Sequence, residues 1–210
     1  MRYKKTRGQR RRHRLIEQWR LQNMQIDLNH LQNYNCDYVK IFVHPWCDLS
    51  ITNSIFPEPK RKTKLLMLSA LLDIYFSWKQ QLDSMNQSYY LKIWLYEPNF
   101  SKSQVVCAVD DRIDHYNNIF LKAEDEKKPK TSAYGQIEDR LKMLNWQHYL
   151  HEDFIDEDVI GEPNDYTNYN DYLNHKKCFT QLMRKPHRVI IHNNGSKTIG
   201  FIKGDIWIGG

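Results

Sequence analysis

YYLKIWLYEPNFSKSQVVCAVDDRIDHYNNIF, residues 89–120, is the stretch on which the fold turns. Tyr89, Leu91, Ile93 and Leu95 alternate with Tyr90, Lys92, Trp94 and Tyr96, the period-two pattern of a strand. Pro98 and Asn99 break that strand. Val105, Cys107 and Val109 then alternate with Val106 and Ala108, apolar on both faces, which places the second strand centrally in a sheet. The exit is rich in carboxylates, with Asp110, Asp111 and Asp114 next to His115, and 114–121 reads as a short helix.

Helical periodicity precedes this unit. From Lys60 to Met85, Leu65, Leu68, Leu72, Tyr75 and Leu82 mark one apolar face that Leu66, Leu71 and Phe76 widen. Earlier still, Arg10 to about Leu31 predicts a helix through Leu21, Met24, Leu28 and Leu31. Both helices begin with basic residues. Cations at a helix N-terminus oppose the macrodipole unless an anion sits there. In the second helix those cations are Lys60, Arg61, Lys62 and Lys64, which as a solvated face would need no ligand. Tyr38 to Val43 predicts a strand.

After residue 120 the pattern weakens. Gln136 to about Tyr149 reads as a helix through Ile137, Leu141 and Leu144. Glu152 to Asp171 reads as a long acidic loop, and 172–183 as a short helix. Arg188–His192 and Lys197–Ile202 flank Asn193-Asn194-Gly195, a hairpin signal. Strands and helices do not alternate strictly. The class is therefore α+β: a single domain with a small antiparallel or mixed sheet packed against two or three helices.

The net charge of +6 on 210 residues is unevenly placed. Arg2, Lys4, Lys5, Arg7, Arg10, Arg11, Arg12 and Arg14 put eight positive charges into residues 1–14, with no acid among them. Without them 23 Lys and Arg face 25 Asp and Glu, a net of −2. The organisation read from this is a basic arm at 1–14 and a domain at 15–210, with the acidic loop at about 151–171. That loop holds eight acids and neither Lys nor Arg. No apolar run approaches the ~18 residues of a membrane span. Cys36, Cys47, Cys107 and Cys178 lack CxxC spacing, which fits free thiols in a reducing cytoplasm.

Arg7-Gly8-Gln9-Arg10-Arg11, Glu97-Pro98-Asn99, Ser103-Gln104-Val105-Val106 and the aromatic sequel Tyr116 to Phe120 carry a likeness. Over roughly residues 1–125 the chain resembles a bacterial family of unknown function, domain-of-unknown-function family 3916. The resemblance implies a small bacterial cytosolic protein and brings no catalytic residue with it.

The residues support three functional readings. Arginine-rich segments neutralise phosphate and release counterions, so the eight cations of 1–14 suit RNA or DNA. This points to a non-enzymatic, nucleic-acid-associated protein needing neither cofactor nor metal. The same arm could instead meet the acidic loop of its own chain, or remain solvated. The second reading is a protein-interaction module, for example a toxin-neutralising or regulatory partner, using the acidic loop or exposed aromatics such as Trp94 and Tyr96. The third is a metal-dependent nuclease built on Asp110, Asp111 and Asp114, against which stands their ordinary use as helix caps. Asp125-Glu126-Lys127 fits only half of a nuclease motif. His148 and His151, read as one helical face, lack the further ligands of a zinc site, and His44 with Cys47 fits a buried turn. The chain has no P-loop, Rossmann glycine triplet or nucleophile-elbow signature, which disfavours the corresponding chemistries.

Overall fold

The leucine-rich helix is the element against which the rest of the larger unit packs. The computed structural model describes residues 3–32, 38–42, 59–85, 87–109, 112–124, 127, 129–156 and 163–210. In chain order the helices are α1 (Tyr3–Met24), α2 (Arg61–Asp83), α3 (Arg112–Asn117), α4 (Glu138–Lys142) and α5 (Tyr169–Leu182). The strands are β1 (Tyr38–Phe42), β2 (Tyr89–Glu97), β3 (Gln104–Val109), β4 (Leu121–Lys122), β5 (Trp146–Asp156), β6 (His187–Ile191) and β7 (Lys197–Gly209). The α+β class holds, but the sheet is larger than expected: seven strands, in the order β1-β3-β2-β7-β5-β4 with β6 paired to β7. The chain forms two compact units, 1–149 with 205–210, and 150–204.

In the larger unit β3 is central, as its apolar faces require. It pairs antiparallel with β1 (Ile41 opposite Val105) and with β2 (Ile93 opposite Val105). All six β3 residues are buried. β2 also pairs with 205–209, placing Glu97 opposite Asp205. One sheet face presents Leu91, Ile93, Leu95, Val105 and Cys107 to the main core, which α2 fills with Leu68, Leu71, Leu72, Ile74, Trp78 and Leu82.

The other face has its own apolar cluster. Tyr90, Trp94, Tyr96, Val106, Ile206 and Ile208 pack there with Tyr116 of α3. The Trp94 indole N–H donates to the Tyr90 hydroxyl at 3.1 Å, and Phe120 meets Trp94 edge-on at 5.0 Å. Trp94 and Tyr96, expected as exposed interface aromatics, are thus buried, at 2% and 6% exposure. A strand with alternating apolar residues on both faces needs two covers, and α3 with Phe120 supplies part of the second.

α1 and α2 run parallel. Arg20 meets Asp73, the Met24 carbonyl accepts from Ser77 Oγ at 3.2 Å, and the Asn23 carbonyl accepts from the Trp78 indole at 2.9 Å. Further on, the Leu28 N–H donates to Gln81 Oε1 at 3.2 Å. Contact positions rise together along both helices, so their N-termini lie at the same end.

The boundaries differ from expectation in three places. α1 begins at Tyr3 rather than Arg10, because Lys, Arg and Gln are good helix formers even without an apolar face. Residues 136–149 hold only the five-residue α4 before the chain extends into β5 at Trp146. Residues 152–156 of the expected loop belong to β5, whose Trp, Tyr, Phe and Ile content favours a strand.

The smaller unit contains 150–156 of β5, then α5, β6 and 197–204 of β7. The Asn193-Asn194-Gly195 hairpin is present, with Gly195 at φ 84°, where a side chain would be strained. Across its strands Arg188 grips Glu152 with two bonds of 2.7 Å, and Lys203 meets Asp153 at 3.1 Å. Asn168 caps α5 by accepting from the Asp171 N–H at 3.0 Å. No helix among the described residues is long and apolar enough to cross a membrane.

Candidate functional site

The parallel pairing of α1 and α2 brings the basic third turn of α1 beside the basic start of α2 around one cavity. Its volume is about 460 Å³, and it is lined by Arg10, Arg12, His13, Ile16, Lys60, Arg61, Lys62, Thr63 and Leu66. From α1 come positions 10, 12, 13 and 16, one side of the helix at 3.6 residues per turn. From α2 come the capping residue, Arg61 to Thr63 of the first turn, and Leu66 of the second. Ile16 is buried and seats this part of α1, while the five Arg and Lys side chains are exposed.

The electrostatics run against the helix dipoles. Neither first turn carries an acid. The acids lie further along: Glu17 in α1, Asp73 and Asp83 in α2. They have partners of their own there. Arg20 pairs with Glu17, whose carboxyl this hydrogen bond holds below the ordinary carboxylate range. Asp73 binds Arg20 at 3.0 Å and Arg140 at 2.6 Å, tying α1, α2 and α4 together. Asp83 is held by Tyr89 and Lys79. Among the described residues, no carboxylate pairs with Arg10, Lys60, Arg61 or Lys62. Arg61 donates to the Ala133 carbonyl, at 3.4 Å.

The α2 start is also unfinished as a hydrogen-bonding structure. Lys60 caps it without a side-chain bond, and the first intrahelical bond there runs from the Lys64 N–H to the Lys60 carbonyl at 3.0 Å. The amides of Arg61, Lys62 and Thr63 therefore have no acceptor one turn back, as at any helix start. Lys64, the fourth cation of that turn, belongs elsewhere. It reaches Glu97 at 3.8 Å and lies 4.8 Å from the Phe100 ring centre. Tyr134 donates to the same Glu97 at 2.5 Å, and burial with this carboxylate holds its phenol far above the ordinary value.

The other sequence-derived candidates fall as follows. Of the eight arm cations, Arg10 and Arg12 line the cavity, and Arg11 and Arg14 are exposed on α1 outside it. Lys4, Lys5 and Arg7 lie in helical backbone, and Arg2 is outside the described residues. Asp114 is exposed in the first turn of α3, whereas Asp110 and Asp111 are outside the described residues, as are His44, Cys47, Asp125 and Glu126.

His148 and His151 lie on a strand rather than a helix, so the pleat sends them to opposite faces. His148 is stacked on Trp207 at 4.2 Å and hydrogen-bonded to Asp205 at 2.7 Å. Among the described residues no three His, Cys, Asp or Glu side chains form a metal-holding group. Cys107 is buried and its thiol pushed up to about 12 by that burial, which excludes it as a ready nucleophile.

Sequence reading missed the meeting of Arg10 and Arg12 with Lys60, Arg61 and Lys62. The signal was the basic run of α1 and the dipole-opposing start of α2; what was lacking was their parallel packing.

No protein-family model matches the chain, and no curated protein and no solved structure is significantly similar to it. What the structure establishes is the class: an α+β protein with a seven-stranded sheet and, in its larger unit, a cavity lined by cations of α1 and of the start of the parallel helix α2.

Proposed function

We propose that this is a non-enzymatic, nucleic-acid-associated protein that binds phosphate of RNA or DNA where the third turn of α1 meets the start of α2. One observation supports this reading above the others: Arg10, Arg12, Lys60, Arg61 and Lys62 converge on one cavity, and four of them have no carboxylate partner among the described residues. Like charges at the α2 N-terminus, with no carboxylate partner among the described residues, destabilise that helix start, and Arg10 and Arg12 of α1 add to the same local charge. A surface that concentrates them is accounted for when an anion is bound there. Arginine and lysine on a helix start, with unpaired amides behind them, are the usual means of holding phosphate. Thr63 adds a hydroxyl that can donate to a phosphate oxygen.

The test is salt-dependent binding by the intact chain. Fluorescence anisotropy with labelled single-stranded RNA and DNA should show binding at low salt that weakens steeply as salt rises. Protein purified at low salt should carry a raised 260/280 nm absorbance ratio that falls after a high-salt wash. Absence of any salt-sensitive binding to either strand type would overturn the proposal.

A further inference from the structure

We infer that the cavity between the third and fourth turns of α1 and the start of α2 is a socket for a terminal phosphate monoester, the end of a nucleic acid strand, rather than a groove for internal backbone. The inference rests on the nucleic-acid reading above and narrows its ligand.

Shape is the first argument. At about 460 Å³ the site is a recess rather than a flat basic stripe. That volume falls within the roughly 300–1,000 Å³ of pockets that enclose small molecules. An internal phosphate has sugar and base on both sides, and in a duplex it lies on a convex surface. A chain end is narrower and can enter with its last nucleotide.

Charge is the second. An internal phosphodiester carries one negative charge, whereas a monoester carries about −1.5 to −2 near neutral pH. A tracking surface for internal backbone spaces its cations along the strand, as in single-strand grooves. Here the cations surround one volume from two sides, Arg10 and Arg12 from α1 and Lys60, Arg61 and Lys62 from α2. Such convergence suits one multiply charged group. A monoester also offers three terminal oxygens, enough to accept from several guanidinium and ammonium donors and from the Thr63 hydroxyl together.

The wall chemistry is the third. Ile16 and Leu66 line the same cavity, Ile16 buried and Leu66 exposed. A site for phosphate alone has no use for an apolar wall. A terminal nucleotide does, because the sugar and base beyond its phosphate present apolar surface. The socket thus has a cationic part for the phosphate and an aliphatic part for the sugar and base attached to it.

The experiment compares four ligands against the full chain by calorimetry or competition anisotropy at low salt. They are a short single-stranded oligonucleotide with free hydroxyl ends, the same strand with a 5′-phosphate, the same strand with a 3′-phosphate, and a nucleoside 5′-monophosphate. The expected result is that at least one phosphorylated end binds about tenfold tighter than the hydroxyl-ended strand, a difference of about 1.4 kcal/mol. That preference should disappear in Lys60→Gln/Lys62→Gln. Equal binding of all three strands would overturn the inference while leaving the nucleic-acid proposal standing. If the mononucleotide binds as tightly as the phosphorylated strand, the socket stands and the nucleic-acid reading falls. Binding by none of the four overturns both. The decisive comparison uses the unaltered protein, so it does not depend on a variant folding.

Discussion

Replacing Lys60, Arg61 and Lys62 together by glutamine removes three of the five Arg and Lys cations that line the cavity, all of them exposed. Each phosphate charge neutralised on a single strand contributes about 0.7 to the slope of log affinity against log salt. A terminal monoester carries up to about two charges, so its full neutralisation gives a slope of about −1.4, and neutralisation of about one charge by the two remaining arginines gives about −0.7. Between about 50 and 200 mM salt the native protein should therefore lose about sevenfold in affinity for a phosphorylated end and the triple variant about threefold. Contacts from Arg11 or Arg14 to the strand beyond would steepen both slopes equally, so the difference of about 0.7 is the quantity to measure. Anisotropy of a labelled single strand over a salt series supplies it.

The same variant carries a second expectation of opposite sign. Its lost charges oppose the α2 dipole, so relieving them should stabilise the fold by about 1–2 kcal/mol at low salt. A domain of this size then melts about 2–8 °C higher. Weaker binding together with a raised melting temperature marks cations retained for a ligand. An unchanged salt slope in a folded variant would refute the binding argument, and a lowered melting temperature would refute the electrostatic one.

Three other perturbations address the scaffold. Asp73→Ala should cost about 1–3 kcal/mol in urea unfolding, since it leaves Arg20 and Arg140 without the carboxylate that joins them at 3.0 and 2.6 Å; a loss under about 0.5 kcal/mol would count against that clamp. Gly209→Ala should destabilise by about 1–3 kcal/mol, because its Cβ would stand 2.7 Å from a Trp146 ring whose N–H is fixed on the Leu141 carbonyl; unchanged unfolding would contradict it. Burial raises Tyr90 and Tyr96 from 10 to about 12 and Cys107 from 9 to about 12. Folding keeps these groups neutral while the unfolded chain ionises first. Their stabilisation is thus complete below pH of about 9 and lost as pH rises to about 12, about 3 kcal/mol for each tyrosine. A chemical-denaturation series that stays flat to pH of about 12 would contradict the burial of these rings.

The legible parts of the fold were those set by local pattern. Both faces of Val105–Val109 are apolar and β3 is central. The leucines of α2 repeat at helical spacing and are buried, and Asn194-Gly195 turns the hairpin. Residues 146–156 were not legible, because Ile137, Leu141 and Leu144 carry a helical spacing up to the strand's start and Glu152 and Asp153 interrupt its aromatic and β-branched residues, so pairing with β7 is needed to realise their strand propensity. The site was legible in composition only. That the arm is cationic follows from Arg10, Arg11, Arg12 and Arg14. Which of these matter follows from the side that α1 turns toward α2, and Ile16, Trp19 and Arg20 fix that side by burial and by Asp73. Likewise nothing local separates Lys64 from Lys60 and Lys62. Glu97, more than thirty positions later, draws Lys64 away.

The most direct test of the central claim is an amide-resolved titration of the labelled full chain with a 5′-phosphorylated single strand at low salt. The largest shifts are expected at the Arg61, Lys62 and Thr63 amides, with the Arg10 and Arg12 side-chain signals following them to the same saturation point. Saturable binding that leaves those amides unmoved, with the shifts gathered instead in residues 163–191, would contradict the assignment of the cavity as the phosphate site.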